Sequence, residues 1–165
     1  MHNNLSLNQC CSVFGDTEWA PLAAYLAITE GLQMIHHSHH LQTKGESFYG
    51  DHLLFQRLYE AVLTEIDLIG EKLIGVSGDA SLTNYFKRVK VIEMFLKAVT
   101  PHNQPYVVVS HDAELMYVRM GGELMDQLEQ AGLLTRGLEQ MLGNVLDKHE
   151  EHIYLLDQRV KQQAS

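Results

Sequence analysis

Between Ser47 and Gly75 the chain contains no proline, and Leu54, Leu58, Val62, Ile66, Ile69 and Leu73 recur at intervals of three and four. That interval is the repeat of a helix face, not the alternation of a strand. The segment therefore predicts one helix of about seven or eight turns. A rod of that length buries its apolar stripe only against other long helices, which makes an all-α bundle the fold to test.

The rest of the chain fits such a bundle. A first helix is predicted from Asp16 or Thr17, with Pro21 in its tolerated first turn, through Leu22, Leu26, Leu32 and Ile35 to about Leu41; Gly45 ends the stretch. Gly75 and Gly78 close the second helix. Asp79 or Ser81 then caps a shorter one carrying Leu82, Tyr85, Phe86, Val89, Ile92, Phe95 and Leu96, which stops before Pro101. Residues 101–109, Val107-Val108-Val109 included, read as a linker. Ser110 with Asp112 begins a third long helix with a Met116, Met120, Leu124, Leu128 stripe. Gly132 breaks it, and Thr135 caps a last helix carrying Leu138, Leu142, Val145 and Leu156. Short connections make the first two long helices, and the last two, antiparallel neighbours. The prediction is a flexible tail over residues 1–16 and a single domain over 17–165, a four-helix bundle with a short extra helix in the long crossover.

Composition narrows the function. The 165 residues are 45% hydrophobic, enough for one sizeable core. Only 12 are Lys or Arg and the net charge is -9, which favours cations over nucleic acid or anionic membrane as partners. Cys10 and Cys11 are adjacent, so they are expected as free thiols in a reducing cytoplasm. Residues 1–17 hold no Lys or Arg and no apolar run of signal-peptide length, so a cytosolic location without membrane insertion is expected.

The residues with metal chemistry are histidines and carboxylates. Asp67 and Glu71 share one helix face at i and i+4, and His52 lies fifteen residues earlier on the same segment. His40, in the run His36-His37-Ser38-His39-His40, lies about as far before the turn at Gly45 as His52 lies after it, so antiparallel helices bring the two together. Mixed imidazole and carboxylate ligands suit divalent iron or zinc. Fifteen residues of helix put His52 roughly 22 Å from Asp67, too far for one ion. An antiparallel two-fold pairing of copies would join the His end of one chain to the carboxylate end of the other, giving two identical intersubunit sites. His36 or His37 is a candidate extra ligand, while His149 and His152, close to the apolar stripe of the last helix, are expected to be structural. No Glu-x-x-His motif is present, which weakens a di-iron site inside one bundle, and phosphate-loop, serine-hydrolase and zinc-protease motifs are likewise missing.

The stretch from His37 to His52, continued to Asp67 and Glu71, resembles the Dps miniferritins. The pattern is a histidine, a glycine five later, a phenylalanine three on, a second histidine four on, and then Asp-x-x-x-Glu fifteen residues downstream; His40, Gly45, Phe48, His52, Asp67 and Glu71 meet it. The resemblance covers the chain beyond the tail. It implies a ferritin-like bundle assembled as a hollow homo-dodecamer, with a two-iron or mixed-metal ferroxidase centre at the dimer interface. His40 and His52 would come from one subunit, Asp67 and a bridging Glu71 from its partner. Where the family often has an acidic ligand one turn after the second histidine this chain has Gln56, and Leu41 replaces the usual tryptophan after the first.

The expected activity is oxidation of Fe(II) by peroxide or dioxygen, with ferric mineral stored in the shell. The alternatives are a non-catalytic zinc-binding cage and a helical scaffold. DNA binding is not expected, because residues 1–18 hold no Lys or Arg and the C-terminal end offers only Arg159 and Lys161. Asp126, Glu129 and Glu139, near the last turn, are candidates to line a cation pore.

Overall fold

The computed structural model describes residues 5–100 and 103–163. All its described elements are helical: α1 (Leu7–Cys11), α2 (Ala20–Gln42), α3 (Phe48–Ser77), α4 (Tyr85–Val99), α5 (Tyr106–Gln130) and α6 (Arg136–Gln163), with a 3-10 turn at Ala80–Thr83. The four long helices α2, α3, α5 and α6 form the bundle, and α4 lies in the crossover against α2. The most extensive contacts join α2 to α3 and α5 to α6, the two sequence-adjacent pairs.

α2 is the axis of the fold. Residues 22–29 are buried without interruption, because α1, α3, α4 and α5 all pack on this helix. A helix that is apolar all round belongs inside. Gly31 admits the Phe95 ring of α4, which a Cβ there would meet at 2.9 Å.

Helix ends follow side-chain chemistry. Gly78 closes α3 at φ +67°, in the left-handed region that glycine adopts without strain. Asp79 accepts from the Ser81 N–H at 2.9 Å, and Asn84 accepts from the N–H groups of Phe86 and Lys87 at the start of α4. Thr135 Oγ1 accepts from the Leu138 N–H at 3.2 Å, as expected of the α6 cap.

Three boundaries differ from the sequence reading. α2 starts at Ala20, three residues later than Thr17, with Trp19 at the cap position. α5 starts at Tyr106, so Val107–Val109 are helical and not linker. Pro105 supplies a preset φ at the cap, and Val107 packs with Phe55, Leu58 and Leu156, which outweighs the modest helix penalty of β-branched residues. Residues 5–14, expected as flexible tail, are docked instead, whereas residues 1–4 of that expectation lie outside the described residues. Ser6 and Gln9 form a reciprocal capping box, the Leu7 N–H donates to Glu123 and Arg119 donates to the Leu5 carbonyl. Leu5, Leu7, Cys10 and Phe14 join the main core.

Candidate metal centres

Two groups of histidines and carboxylates lie on opposite sides of α3. The outer group forms where α2 meets the N-terminal half of α3. The hairpin brings His40 and His52 face to face, with ring centroids 3.8 Å apart. His40 Nδ1 donates to the His52 carbonyl and His52 Nδ1 donates to the His40 carbonyl, both at 3.0 Å. Each bond fixes the tautomer and leaves the Nε2 lone pair as the coordinating atom, the arrangement typical of metal-binding imidazoles. Phe48 stacks on His52 at 4.9 Å, and Tyr59 lies beside His37 and His40.

Asp67 and Glu71 are exposed on α3, which runs unbroken from Phe48 to Ser77. The helix therefore keeps Asp67 roughly 22 Å and Glu71 roughly 28 Å from His52, as its rise requires. Tyr49, His52, Gln56, Glu60, Leu63, Asp67, Glu71 and Ile74 lie on one side of α3, within about 100° at the helical repeat. Tyr49 is 74% exposed, Leu63 53% and Ile74 41%, so apolar surface flanks both the histidine pair and the carboxylate pair on this face. Gln56 Nε2 donates to Glu60 Oε1 at 2.9 Å. Of the two extra candidates, His37 is exposed near His40, but His36 is not: it is fully buried and turned into the core. The structure thus takes His36 out of the outer group and leaves His37 as the candidate beside His40.

The inner group fills the middle of the bundle, drawn from four helices. His149 lies between two carboxylates, Nδ1 donating to Glu114 Oε2 at 2.5 Å and Nε2 to Glu65 Oε2 at 2.7 Å. The other oxygen of Glu114 accepts from His36 Nε2 at 2.8 Å and His152 Nδ1 at 3.2 Å. Ser110 Oγ bridges His36 and His39, at 3.1 and 2.8 Å. All seven side chains are buried, and the Tyr117 ring covers His149 at 4.2 Å. The i, i+3 spacing of His149 and His152 turns both rings to one side of α6, where Glu114 of α5 meets them. Glu114, His149 and His152 offer ligand atoms within 4.8 Å of one another, so this group can hold a metal ion.

Charge and burial compete at each member. Burial alone would push the Glu114 carboxyl up, but the His149 charge and the hydrogen bonds from His149, His152 and His36 hold it well below the usual range. Burial pulls the His149 imidazole down, yet Glu114 and Glu65 outweigh it and raise the group to about 9. Donating to a carboxylate from each nitrogen requires the imidazolium, in agreement. Desolvation lowers His36, and desolvation with the neighbouring His36 lowers His39 to about 4, so this pair is neutral. A neutral His36 that donates to Glu114 must accept from the Ser110 hydroxyl, and Ser110 accepts from His39 in turn.

His149 and His152 do bond neighbours, as expected of structural histidines, but their neighbours are carboxylates with ligand geometry. Sequence reasoning missed Glu65 and Glu114. Their signal was a charged residue at a core register: Glu65 falls between Val62 and Ile69 on the buried face of α3, and Glu114 beside Ala113 and Tyr117 on α5. Among the proposed pore residues, Asp126 and Glu129 are exposed, while Glu139 is half-buried and held by Arg136 at 2.9 Å. The two C-terminal cations are engaged internally, Arg159 with Asp51 and Lys161 with Asp157.

No protein-family model and no curated protein matches the chain. No helix among the described residues is long and apolar enough to cross a membrane.

Proposed function

We propose that this chain is an iron-oxidising, iron-storing protein of the miniferritin type, whose reaction centre forms between two copies. The observation that carries the reading is the His40–His52 pair, two imidazoles locked by each other's backbone carbonyls with both Nε2 atoms left to coordinate. A straight α3 then holds the carboxylates of Asp67 and Glu71 a fixed distance away on the same exposed face. Antiparallel pairing about a two-fold axis brings the histidines of each copy to the carboxylates of the other, and buries Leu63, Ile74 and Tyr49 as it does so.

Fe(II) is the substrate. The imidazoles and carboxylates of the joined half-sites bind it, and the negative charge of Asp67 and Glu71 stabilises Fe(III) over Fe(II). Each iron gives one electron to peroxide or dioxygen, and the ferric product hydrolyses to oxide-hydroxide with release of protons. A hollow homo-dodecamer is the assembly the sequence resemblance implies for storing that mineral. Glu60 bears on the missing acidic ligand. It lies one turn beyond Gln56, accepts its hydrogen bond, and brings a carboxylate to the same face. A zinc cage without oxidation has the same ligands but needs no oxidant, so the two readings differ in activity.

The test is ferrous oxidation followed by absorbance, with peroxide and with air, for the native protein and for Asp67→Ala/Glu71→Ala. Native protein should oxidise Fe(II) well above the buffer rate and the variant should fall to that background. Equal rates in the two proteins would place the chemistry elsewhere.

A further inference from the structure

The bundle interior carries a cluster that the intersubunit reaction does not use. Glu65 and Asp67 are two residues apart, which places them about 160° apart around α3. The inner group therefore faces away from the partner copy and is complete within one chain. It packs the carboxylates of Glu65 and Glu114 with the imidazoles of His36, His149 and His152, all buried, and buried carboxylates are costly without a positive counter-charge. A divalent cation is the ligand that such a set is short of.

We propose that each chain binds a second metal ion, a divalent first-row transition ion, through His149 Nδ1, His152 Nδ1 and the carboxylate of Glu114. Two imidazoles and one carboxylate are a donor set for Fe(II) or Zn(II) that leaves a coordination position open. The geometry needs one opening: His149 Nδ1 and Glu114 Oε2, now 2.5 Å apart, must part by about 1 Å. Ligand atoms about 2.1 Å from an ion stand roughly 3.4 Å apart in a tetrahedron, and the three groups already lie within 4.8 Å of one another. The ion takes the place of the proton that His149 Nδ1 now shares with Glu114.

The surrounding side chains are arranged as outer supports for such a site. Glu65 accepts from the opposite nitrogen of His149 at 2.7 Å, which fixes the ring and strengthens it as a donor. His36, backed by Ser110, holds one oxygen of Glu114. These are positioning residues. A groove of about 530 Å³ between α3 and α6 has His152 in its lining, with Glu60 and Glu151 alongside Arg57 and Lys148, so the edge of the cluster borders the surface.

The proposal is tested on full-length protein carrying His40→Ala/His52→Ala/Asp67→Ala/Glu71→Ala, which removes all four intersubunit ligands and leaves the inner group untouched. After chelation, titration with Co(II) should give about one ion per chain, with visible absorption bands of nitrogen and oxygen ligation. Adding His152→Gln should weaken binding about 10-fold or more. X-ray absorption of the Co(II) form should show imidazole scattering, an observation that requires no further variant. Absence of uptake, absence of imidazole ligation, or unchanged affinity in a folded His152→Gln protein would each overturn the site. Because the iron reaction is tested separately with Asp67→Ala/Glu71→Ala, loss of one result leaves the other standing.

Discussion

Gly121 and Gly122 are neighbours in α5, and alanine at each should change stability in opposite directions. A Cβ at Gly121 would lie 2.4 Å from Leu146 Cδ2, 2.7 Å from Tyr25 Oη and 3.2 Å from Tyr25 Cζ. At Gly122 it would meet nothing within 4 Å. Both substitutions gain helix propensity of about 1 kcal/mol, because the unfolded glycine has more freedom to lose. Leu146 is half-buried and has room to turn. Tyr25 does not: it is fully buried, stacked on Tyr117 at 4.6 Å, and its hydroxyl donates to the Tyr117 carbonyl. Forcing a methyl against a fixed ring costs about 1–3 kcal/mol, with loss of that hydrogen bond costing roughly another 1 kcal/mol. Gly121→Ala should therefore destabilise by about 1–3 kcal/mol net, and Gly122→Ala should stabilise by up to about 1 kcal/mol. Urea unfolding followed by the fluorescence of Trp19, the single tryptophan, measures both at one fixed protein concentration. Equal shifts in the same direction would refute the packing argument, since propensity alone cannot distinguish the two positions.

In chelator-treated protein, His149 should make stability fall with rising pH. Its folded value of about 9 lies above its ordinary 6.5, so its contribution is complete below 6.5 and is lost through about 9, a fall of about 3 kcal/mol. His149→Gln should flatten that window; a native profile level from pH 6.5 to 9 would contradict the assignment. Cys10 is buried, and burial with the neighbouring Cys11 and Glu123 pushes its thiol up to about 12. Thiol-reactive reagent at pH 8 should label it more than about 10-fold slower than an open cysteine, and rapid labelling would show residues 5–14 to be undocked.

The bundle was legible because each long helix carries its own period. Leu54 to Leu73 announce α3, and Gly78, Asp79 and Thr135 punctuate it and the later elements with local chemistry that needs no tertiary context. The errors arose where contacts across the chain decide. Val107–Val109 became helix because Phe55 and Leu156 receive Val107 and Val108 while the main core receives Val109, and residues 5–14 docked because α5 presents Arg119 and Glu123 to their backbone. The meeting of His40 and His52 was legible for a geometric reason, since both lie near the turn on adjacent antiparallel helices, and so was the face that Asp67 and Glu71 share. The inner group was not, since Glu65, Glu114, His36 and His149 come from four helices and no spacing along the chain links them. His36 shows the limit most clearly, because one helical step separates it from His37 and reverses its environment from solvent to core.

The claim that the reaction centre is shared between copies is tested most directly by co-assembling two inactive variants. One carries His40→Ala/His52→Ala and the other Asp67→Ala/Glu71→Ala. In a mixed two-fold dimer one of the two sites regains all its ligands, so an equal, randomly paired mixture should recover about a quarter of the native ferrous oxidation rate, although neither variant alone shows any. A mixture that stays at background after verified co-assembly, or a monomeric fraction of native protein that oxidises iron at the full rate, would contradict the account.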